Sequence, residues 1–401
     1  MNFDIHKVIS KVVGRKESLF ADDLLKNLPL IASKLEGASI MILGAAGSIG
    51  REFTRLVAKQ SLGRLFLIDL SENGLVELVR DLRGSGLSLP SNFATSSIGI
   101  DSPEFKCFLE DAGSFDFVAN FAALKHVRAE RDPFTLGRLL RVNVLANEDL
   151  SLYLKNCGGG HLFCVSSDKS VNPTNAMGAS KAFMEMVLAR GNDGVSSSTA
   201  RFANVAFSDG SLPFGFMQRL AKGQPLVGPS DVRRCFLSPQ ESGELCLLSA
   251  FAAETGEAFF PSLSFAEHAK TFQEVAEEVL SALDLEPLHC DSSSEAIAKG
   301  GLRNRHDGKW PCFFTSSDTS GEKYEEEFFE NGESVDFERF SSIGVAKLNL
   351  DRAEETDSCI ARLRSILSES KWSKNNMLGL LAEAVPEFKH LETGRNLDQK
   401  L

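Results

Sequence analysis

Residues 38–69 read ASIMILGAAGSIGREFTRLVAKQSLGRLFLID, and this stretch limits the possible folds more than any other in the chain. The apolar run ASIMIL is followed at once by a glycine-rich turn, then by the helical pattern REFTRLVAKQ, then by a second apolar run that closes on Asp69. That order is a βαβ unit. The turn, Gly44-Ala45-Ala46-Gly47-Ser48-Ile49-Gly50, has the spacing GxxGxxG. Its first glycine makes the tight turn, the second lets a pyrophosphate approach the backbone, and the third lets helix and strand pack closely; the helix N-terminus then faces the phosphates. Asp69 stands nineteen residues past Gly50, at the end of the next strand, where a carboxylate accepts hydrogen bonds from ribose hydroxyls. Gly44, Gly47, Ser48, Ile49, Gly50 and Asp69 are therefore the expected contacts of a dinucleotide cofactor. A carboxylate at 69 repels a 2′-phosphate, and Leu70, Ser71 and Glu72 bring no compensating cation, so NAD is preferred to NADP; Arg51 keeps NADP open. Asp101, after the third strand, is either an adenine contact or an ordinary surface aspartate.

The alternation continues. SNFATSSIGI (91–100), FDFVANFAA (115–123) and HLFCVSS (161–167) read as three further strands, with helical patterns such as LLRVNVLANEDLSLYLKN between them. Nearly all-apolar strands alternating with helices predict an α/β fold: a Rossmann-type, doubly wound parallel sheet covered on both faces. Residues 1–36 read as an N-terminal helical arm and 37–205 as the cofactor-binding domain. Residues 206–350 read as a smaller, partly interleaved substrate lobe whose last elements return to the sheet, and 351–401 as a helical tail. The net charge of −12 opposes a broad nucleic-acid footprint, which needs a clustered basic face. MNFDIHKVIS lacks the apolar core of a signal peptide and no run approaches a membrane span, so a soluble, cytoplasmic protein is expected. The eight cysteines are scattered, without C-x-x-C or a histidine partner, which predicts buried reduced thiols and no metal site.

A second stretch, SSDKSVNPTNAMGASK (166–181), carries the chemistry. The motifs ILGAAGSIG, FAALKHV, SSDKSVNPTNAMGASK, RFANVAFSDGSLP, DVRRCFLSPQESGEL and SGEKYEEEF, running from about residue 38 to 332, together resemble the extended short-chain dehydrogenase/reductase superfamily. Within it the chain is similar to the nucleotide-sugar 4,6-dehydratases of bacterial surface-polysaccharide synthesis, the UDP-N-acetylglucosamine 4,6-dehydratase group; VVGRK in the arm also resembles this group. The resemblance implies that Asn143 and Lys181 belong to the active-site framework, with Lys181 holding the nicotinamide ribose, and that Ala122 and Ala123 line the cofactor. The superfamily normally carries Tyr-x-x-x-Lys, yet the residue four before Lys181 is Met177. The only two tyrosines, Tyr153 and Tyr324, are followed four residues later by Cys157 and Phe328, so the motif occurs nowhere. A subset of the resembling dehydratases shares Met-Gly-x-x-Lys with an upstream Asp-Lys.

Dehydration across C5 and C6 of a sugar needs a base near C5 and an acid near O6, held by the end of a strand. Ser167, Asp168 and Lys169 follow the fifth strand, where open parallel sheets place their ligands. Asp168 is assigned as the acid for the departing C6 hydroxyl, Lys169 as the base for the C5 proton, and Ser167 as the partner of the 4-hydroxyl. Met177 is expected to wall the pocket, and Lys125 to face the sugar or cofactor, while His126 reads as a packed histidine. By resemblance, Asn204 and Arg234 meet the diphosphate and nucleoside and Glu322 lies near the ribose. The chain departs from its relatives at Asp209 and Thr319, where they show arginine; Arg233, Arg303 and Arg305 are candidates to compensate, and UDP is favoured over GDP. A simple 4-epimerase wants the tyrosine, a dehydratase that inverts C5 stays open, and a non-catalytic NAD-binding sensor is opposed by the intact Ser167, Asp168, Lys169 and Lys181. Self-association through the helices next to Lys181, giving a homo-oligomer, is what the resemblance implies.

Overall fold

The computed structural model describes residues 4–300, 308–317, 326–349 and 352–390. Two helices come first, α1 (Ile5–Val13) and α2 (Ala21–Leu35). Then strands and helices alternate: β1 (Ser39–Leu43), α3 (Ser48–Val57), β2 (Arg64–Ile68), α4 (Glu72–Gly84), β3 (Asn92–Ser96), α5 (Pro103–Ala112), β4 (Phe117–Asn120), α6 (Pro133–Leu140), α7 (Ala146–Asn156), β5 (Gly160–Val165), α8 (Ala176–Arg190) and β6 (Val195–Ala200). The strands expected at ASIMIL, RLFLID, SNFATS, FDFVAN and HLFCV all form, because each apolar run is bounded by a turn or an N-cap; Ser71 and Ser102, for instance, cap α4 and α5.

The second half holds β7 (Asn204–Val205), α9 (Leu212–Lys222), β8 (Leu226–Pro229), β9 (Arg233–Arg234), β10 (Phe236–Leu237), α10 (Pro239–Ala252), β11 (Glu257–Pro261) and α11 (Phe265–His268). It continues with β12 (Lys270–Thr271), α12 (Phe272–Ala282), β13 (Glu286–His289), α13 (Ser293–Lys299), β14 (Lys309–Thr315), β15 (Val335–Asp336) and β16 (Ile343–Lys347), and the tail adds α14 (Ala353–Ser368) and α15 (Lys374–Ala384). The main sheet has the order β15-β16-β11-β6-β5-β4-β1-β2-β3. From β3 to β11 every pairing is parallel, and β16 and β15 close one edge antiparallel. The chain therefore forms the doubly wound sheet its alternation predicts, with strands from residues 257–261 and 335–347 returning to it.

Helices cover both faces. On one, Ile31 and Leu35 of α2, Phe53 and Val57 of α3, Leu75 and Leu78 of α4 and Leu245 to Phe251 of α10 form one apolar cluster with β1 and β2. On the other, Phe105, Leu150, Leu154, Met184 and Leu188 from α5, α7 and α8 pack on the opposite side chains of β1, β4 and β5. A separate cluster joins α1, α9, α12, β8 and β14, so α1 belongs to the core of the smaller lobe. The tail helices α14 and α15 lie on α6 and α8 through Leu363, Met377 and Leu380. Consequently α8, the helix that carries Lys181, is buried almost all round by its own chain. Among the described residues no helix is long and apolar enough to cross a membrane.

One buried ion cluster joins these layers. Arg201, just past β6 and 3% exposed, donates from Nε and one terminal nitrogen to Glu185 of α8 at 2.8–3.0 Å. Its remaining donors go to Glu333 and to the Phe328 carbonyl, each at 2.8 Å. Truncating Arg201 to Met would strand the buried Glu185 carboxylate and the partly buried Glu333, so urea titration of that variant is expected to show a loss of about 3–5 kcal/mol.

Candidate active site

Chain reversal of the sheet falls between β1 and β4, and the crevice at their carboxyl ends is where an open parallel sheet takes a ligand. The glycine turn fills one side of it. Gly44 has φ +72°, and a Cβ there would stand 2.7 Å from the Ala122 nitrogen; a Cβ on Gly50 would stand 2.2 Å from the Gly44 oxygen. The turn is thus folded tightly on itself and against the segment after β4. At Gly47, by contrast, the nearest atom to an added Cβ is 3.4 Å away, so this residue is small for the space above it rather than for the protein below. Asp69 is fixed by two backbone donors, Ala46 N–H at 2.9 Å and Ser71 N–H at 2.8 Å, one to each carboxylate oxygen. Asp101 lies at the next strand end, 4.0 Å from Arg138.

Opposite the turn, the segment Ala122–Ala123–Leu124 is held by asparagines. Asn143 is fully buried; its oxygen accepts from Leu124 N–H, and its amide donates to Leu124 O and Ser180 Oγ, all at 2.9 Å. It sits in a π-helical turn, Arg141–Leu145, a local widening often found at functional sites. Asn147 and Asn120 extend the network: Asn120 donates to Asn147 at 2.7 Å and accepts from Ala122 N–H at 3.0 Å. Asn143 is therefore a structural pin for the segment after β4. Lys125 follows it at the exposed rim, its pKa lowered by burial of the ammonium and raised in turn by Asp209. His126 lies against Gly210, and burial together with Lys125 and Arg128 lowers its pKa.

Past β5 the three predicted residues stand together. Ser167 donates from Oγ to Asp168 Oδ1 at 2.6 Å and accepts from Lys169 N–H at 3.1 Å. Lys169 Nζ donates to both Asp168 oxygens, at 3.0 and 3.2 Å, from a side chain that is 27% exposed, whereas that of Asp168 is 4% exposed. Ser170 then anchors the turn, its hydroxyl shared between Ser167 O at 2.7 Å and Glu185 at 2.9 Å. Gly178 completes the seat, since a Cβ there would stand 2.2 Å from the Lys169 carbonyl oxygen. The glycine of Met-Gly-x-x-Lys therefore lets α8 press directly on the turn after β5. Met177 itself is 4% exposed and packs in the apolar cluster of α6, α8, α14 and α15, so the structure does not bring its side chain into the open site. Lys181 is 5% exposed and donates to Val165 O at 2.7 Å, with Met184 Sδ at 3.8 Å. Burial pulls its pKa down to about 8, against the opposing pull of Cys164 and Glu185.

At the far end, β7 and β10 pair beside β9. Asn204 donates from its amide to Glu326 at 2.7 Å, and the Cys235 N–H donates to the other oxygen of Glu326 at 2.7 Å. Arg234, 4% exposed, flanks this carboxylate and contributes to its electrostatics. Arg233 is occupied with the Ala269 carbonyl at 2.7 Å. Glu322, Thr319, Arg303 and Arg305 lie outside the described residues. Asp209, where relatives show arginine, accepts from Ser48 Oγ at 2.8 Å and returns its own N–H to that oxygen at 2.9 Å, so the 208–211 segment closes over the start of α3. The preceding Phe207 is held at φ +57°, an unfavourable value for a bulky residue.

This site, on a seven-strand parallel core with an added smaller lobe, defines an extended short-chain dehydrogenase/reductase. Within that superfamily the chain belongs to the polysaccharide biosynthesis protein family, whose model matches residues 40–347. It is 27% identical over 253 residues to the capsular polysaccharide biosynthesis protein CapD of Staphylococcus aureus, a match covering 62% of this chain and 42% of CapD. It is 26% identical over 240 residues to the inverting UDP-N-acetylglucosamine 4,6-dehydratase of Campylobacter jejuni, covering 57% of this chain and 67% of that one. A UDP-glucose 4-epimerase of Rickettsia massiliae matches at 25% identity over 64% of this chain and 81% of its own. Among solved structures, Pen from Bacillus thuringiensis shares the fold with a TM-score of 0.63 at 17% identity, covering 87% of this chain and 98% of that one. The chain thus spans less than half of CapD.

The two glycines predict opposite behaviour. Gly50→Ala is expected to destabilise by about 1–3 kcal/mol, as overpacking does, and Gly47→Ala by much less; thermal unfolding of the two variants compares them directly.

Proposed function

We propose that the chain dehydrates a nucleotide-activated N-acetylhexosamine, UDP-N-acetylglucosamine first among them, to its 4-keto-6-deoxy derivative with NAD recycled internally, for surface-glycan synthesis. The observation that carries this reading is the bonded set Ser167, Asp168 and Lys169 at the end of β5, in a chain with no Tyr-x-x-x-Lys.

The residues present fit a dinucleotide. Among the described residues Ser166 Oγ is buried beside Ser167 without a hydrogen-bond partner, Lys181 has three donors and two acceptors, and Gly47 leaves its upper side open. The first two suit the nicotinamide end, and Gly44, Gly47, Ser48, Ile49 and Gly50 suit the pyrophosphate. Asp69 keeps outward lone pairs for the ribose hydroxyls while bonding Ala46 and Ser71, an arrangement that favours NAD over NADP. When bound, NAD would supply a hydride acceptor for C4 and return that hydride to C6.

The proton chemistry falls to the chain itself. Oxidation at C4 releases the proton of the 4-hydroxyl, and Ser167, hydrogen-bonded to Asp168 at 2.6 Å, offers it a two-step route to that carboxylate. Protonated Asp168 then gives the proton to the departing C6 hydroxyl, and Lys169 removes the proton from C5, made acidic by the new ketone. Asn204 and Arg234 hold the diphosphate side, a guanidinium suiting phosphate oxygens by forked hydrogen bonding. A 4-epimerase needs one proton carrier at O4 and has no use for a second group beside it, so the Asp168–Lys169 pair favours dehydration. Retention or inversion at C5 depends on which face of the sugar Lys169 reprotonates.

Proton NMR of the product formed from UDP-N-acetylglucosamine in deuterated water reports dehydration and C5 configuration together; a GDP-linked sugar is the control. Asp168→Asn and Lys169→Ala are each expected to lower kcat by about 10²-fold or more. Met177→Ala should instead cost about 2–5 kcal/mol of stability, as a buried truncation does, and leave kcat close to wild type. Retention of most turnover by both Asp168→Asn and Lys169→Ala would remove the proposal. For the cofactor, Gly47→Ala is expected to weaken NAD binding at nearly unchanged thermal stability, measured by calorimetric titration.

A further inference from the structure

A buried carboxylate that the scheme above leaves unused lies within electrostatic reach of the acid–base pair. Glu326 is 8% exposed and receives one hydrogen bond on each oxygen, from the Asn204 amide and the Cys235 N–H, each at 2.7 Å. The Asp168 N–H donates to Phe202 O at 3.2 Å, two residues from Asn204, so the backbone that carries Asp168 and the cradle that holds Glu326 are one piece. Neither donor to Glu326 is a charged group. Among the described residues no cation bonds to it, in contrast to Glu185 and Glu333, which share Arg201.

We propose that Glu326 stores a proton for the Asp168–Lys169 pair, so that the acid–base apparatus of the dehydration comprises two carboxylates and a lysine. This inference rests on the dehydratase reading above and follows from counting protons. The structure shows the salt-bridged pair, which at rest is Asp168 ionised and Lys169 protonated. Elimination needs the reverse on Lys169: Asp168 neutral to protonate the leaving hydroxyl, and Lys169 neutral to take the proton from C5. The 4-hydroxyl proton, arriving through Ser167, neutralises Asp168 and leaves Lys169 with one proton too many. Glu326 accepts that proton. Lys169 then takes the C5 proton and Asp168 loses its own to the departing water. After C6 has been reduced, protonated Lys169 returns a proton to C5, and Glu326 returns its stored proton to Lys169. All three groups end as they began.

The surroundings suit the task. Burial, and next the negative charge of Asp168, push the Glu326 pKa up to about 7, against Lys169, the Cys235 N–H and Arg234, which lower it. The Cys235 thiol, itself pushed up to about 12 by burial and by Glu326, also faces the carboxylate, with Arg15 and Arg233 beyond it. A store that both fills and empties near neutral pH is what the count requires. The sign follows: Glu326 accepts only when ionised, above pH 7, so turnover should fall as pH drops through about 7. Folding responds oppositely. A carboxylate whose pKa is raised by folding stabilises fully only below its unfolded value, and that contribution is lost as pH rises through about 7.

Glu326 touches no sugar atom in this scheme and acts through Lys169 and Asp168, so the test needs more than lost activity. In Glu326→Gln, kcat at pH 8 is expected to fall about tenfold or more, the acid limb near pH 7 to vanish, and KM for the nucleotide sugar to stay within about threefold. Glu326→Asp should recover part of kcat and bring the limb back. Without any substrate, wild-type protein should lose thermal stability between pH 6 and 8 relative to Glu326→Gln, and infrared titration should show a protonated carboxyl that Glu326→Gln lacks. An unchanged kcat and limb in Glu326→Gln would overturn the proposal, and so would a rise in KM alone, which would make Glu326 only the holder of Asn204. A wild-type enzyme that makes no keto product from either nucleotide sugar would instead overturn the dehydratase reading, whatever the infrared titration shows.

Discussion

The Ser167–Ser170 turn is held in place from beneath by one guanidinium. Arg201 uses every N–H it has, on Glu185, Glu333 and the Phe328 carbonyl, and so ties the end of β6 to the middle of α8 and to the chain that leads back into β15. Glu185 passes the constraint on, because the same carboxylate accepts from Ser170, whose hydroxyl also holds the Ser167 carbonyl. Burying two carboxylates around one guanidinium is an expensive way to gain stability, and apolar residues of equal volume often serve as well. What the cluster adds is registry. Each of the fork's donors has one acceptor, so Ser167 and Asp168 are fixed relative to α8, and hence to Lys181, without relying on the shape of a loop.

The same logic explains the motif in which a methionine replaces the usual tyrosine. With the phenol gone, the site no longer needs a hydroxyl presented from the first turn of α8; it needs the turn after β5 to come close to that helix. Gly178 allows this, its missing side chain leaving room for the Lys169 carbonyl. Met177 fills the apolar layer between α8 and the tail helices, where a flexible thioether adapts to neighbours from α6, α14 and α15. The helix thus faces two ways, with Gly178 and Lys181 toward the chemistry and Met177, Phe183 and Val187 toward the tail. Association of two copies through α8 would have to include the tail helices, which already cover it.

Much of this was legible in the order of residues. The βαβ unit, the five strands that follow the apolar runs and the helices at either end were readable because each was a local pattern bounded by a local stop, whereas the packing of α1 into the core of the smaller lobe was not. The grouping of Ser167, Asp168 and Lys169 was readable too, since three consecutive residues at a strand end cannot be far apart. Glu326 was not, for a different reason: KYEEEFF looks like a solvated acidic run, and only the pairing of β7 with β10 brings Asn204 and Cys235 to cradle one of its carboxylates. Arg201 and Glu185 were hidden likewise, being a charged residue after a strand and another on a helix until the fold buries them together. Asp209 could be seen as a departure from an expected arginine, but its bond to Ser48 depends on how the segment after β7 folds back.

These hidden residues share one property. Each is a charged group whose partner is distant in sequence, and charge burial is the part of folding that a single chain pattern describes least well. It is also what shifts the titration of the site's buried groups. Lys181 is brought to about 8 and Glu326 to about 7 chiefly by the removal of water, not by a neighbouring charge. A tyrosine in its usual place would have served as a single proton carrier at O4. In the proposed scheme its loss leaves the proton carriers Asp168, Lys169 and Glu326 on two separate segments, whose packing sets which of them holds a proton. In this chain the fold around the turn, as much as the turn itself, determines the chemistry available at the end of β5.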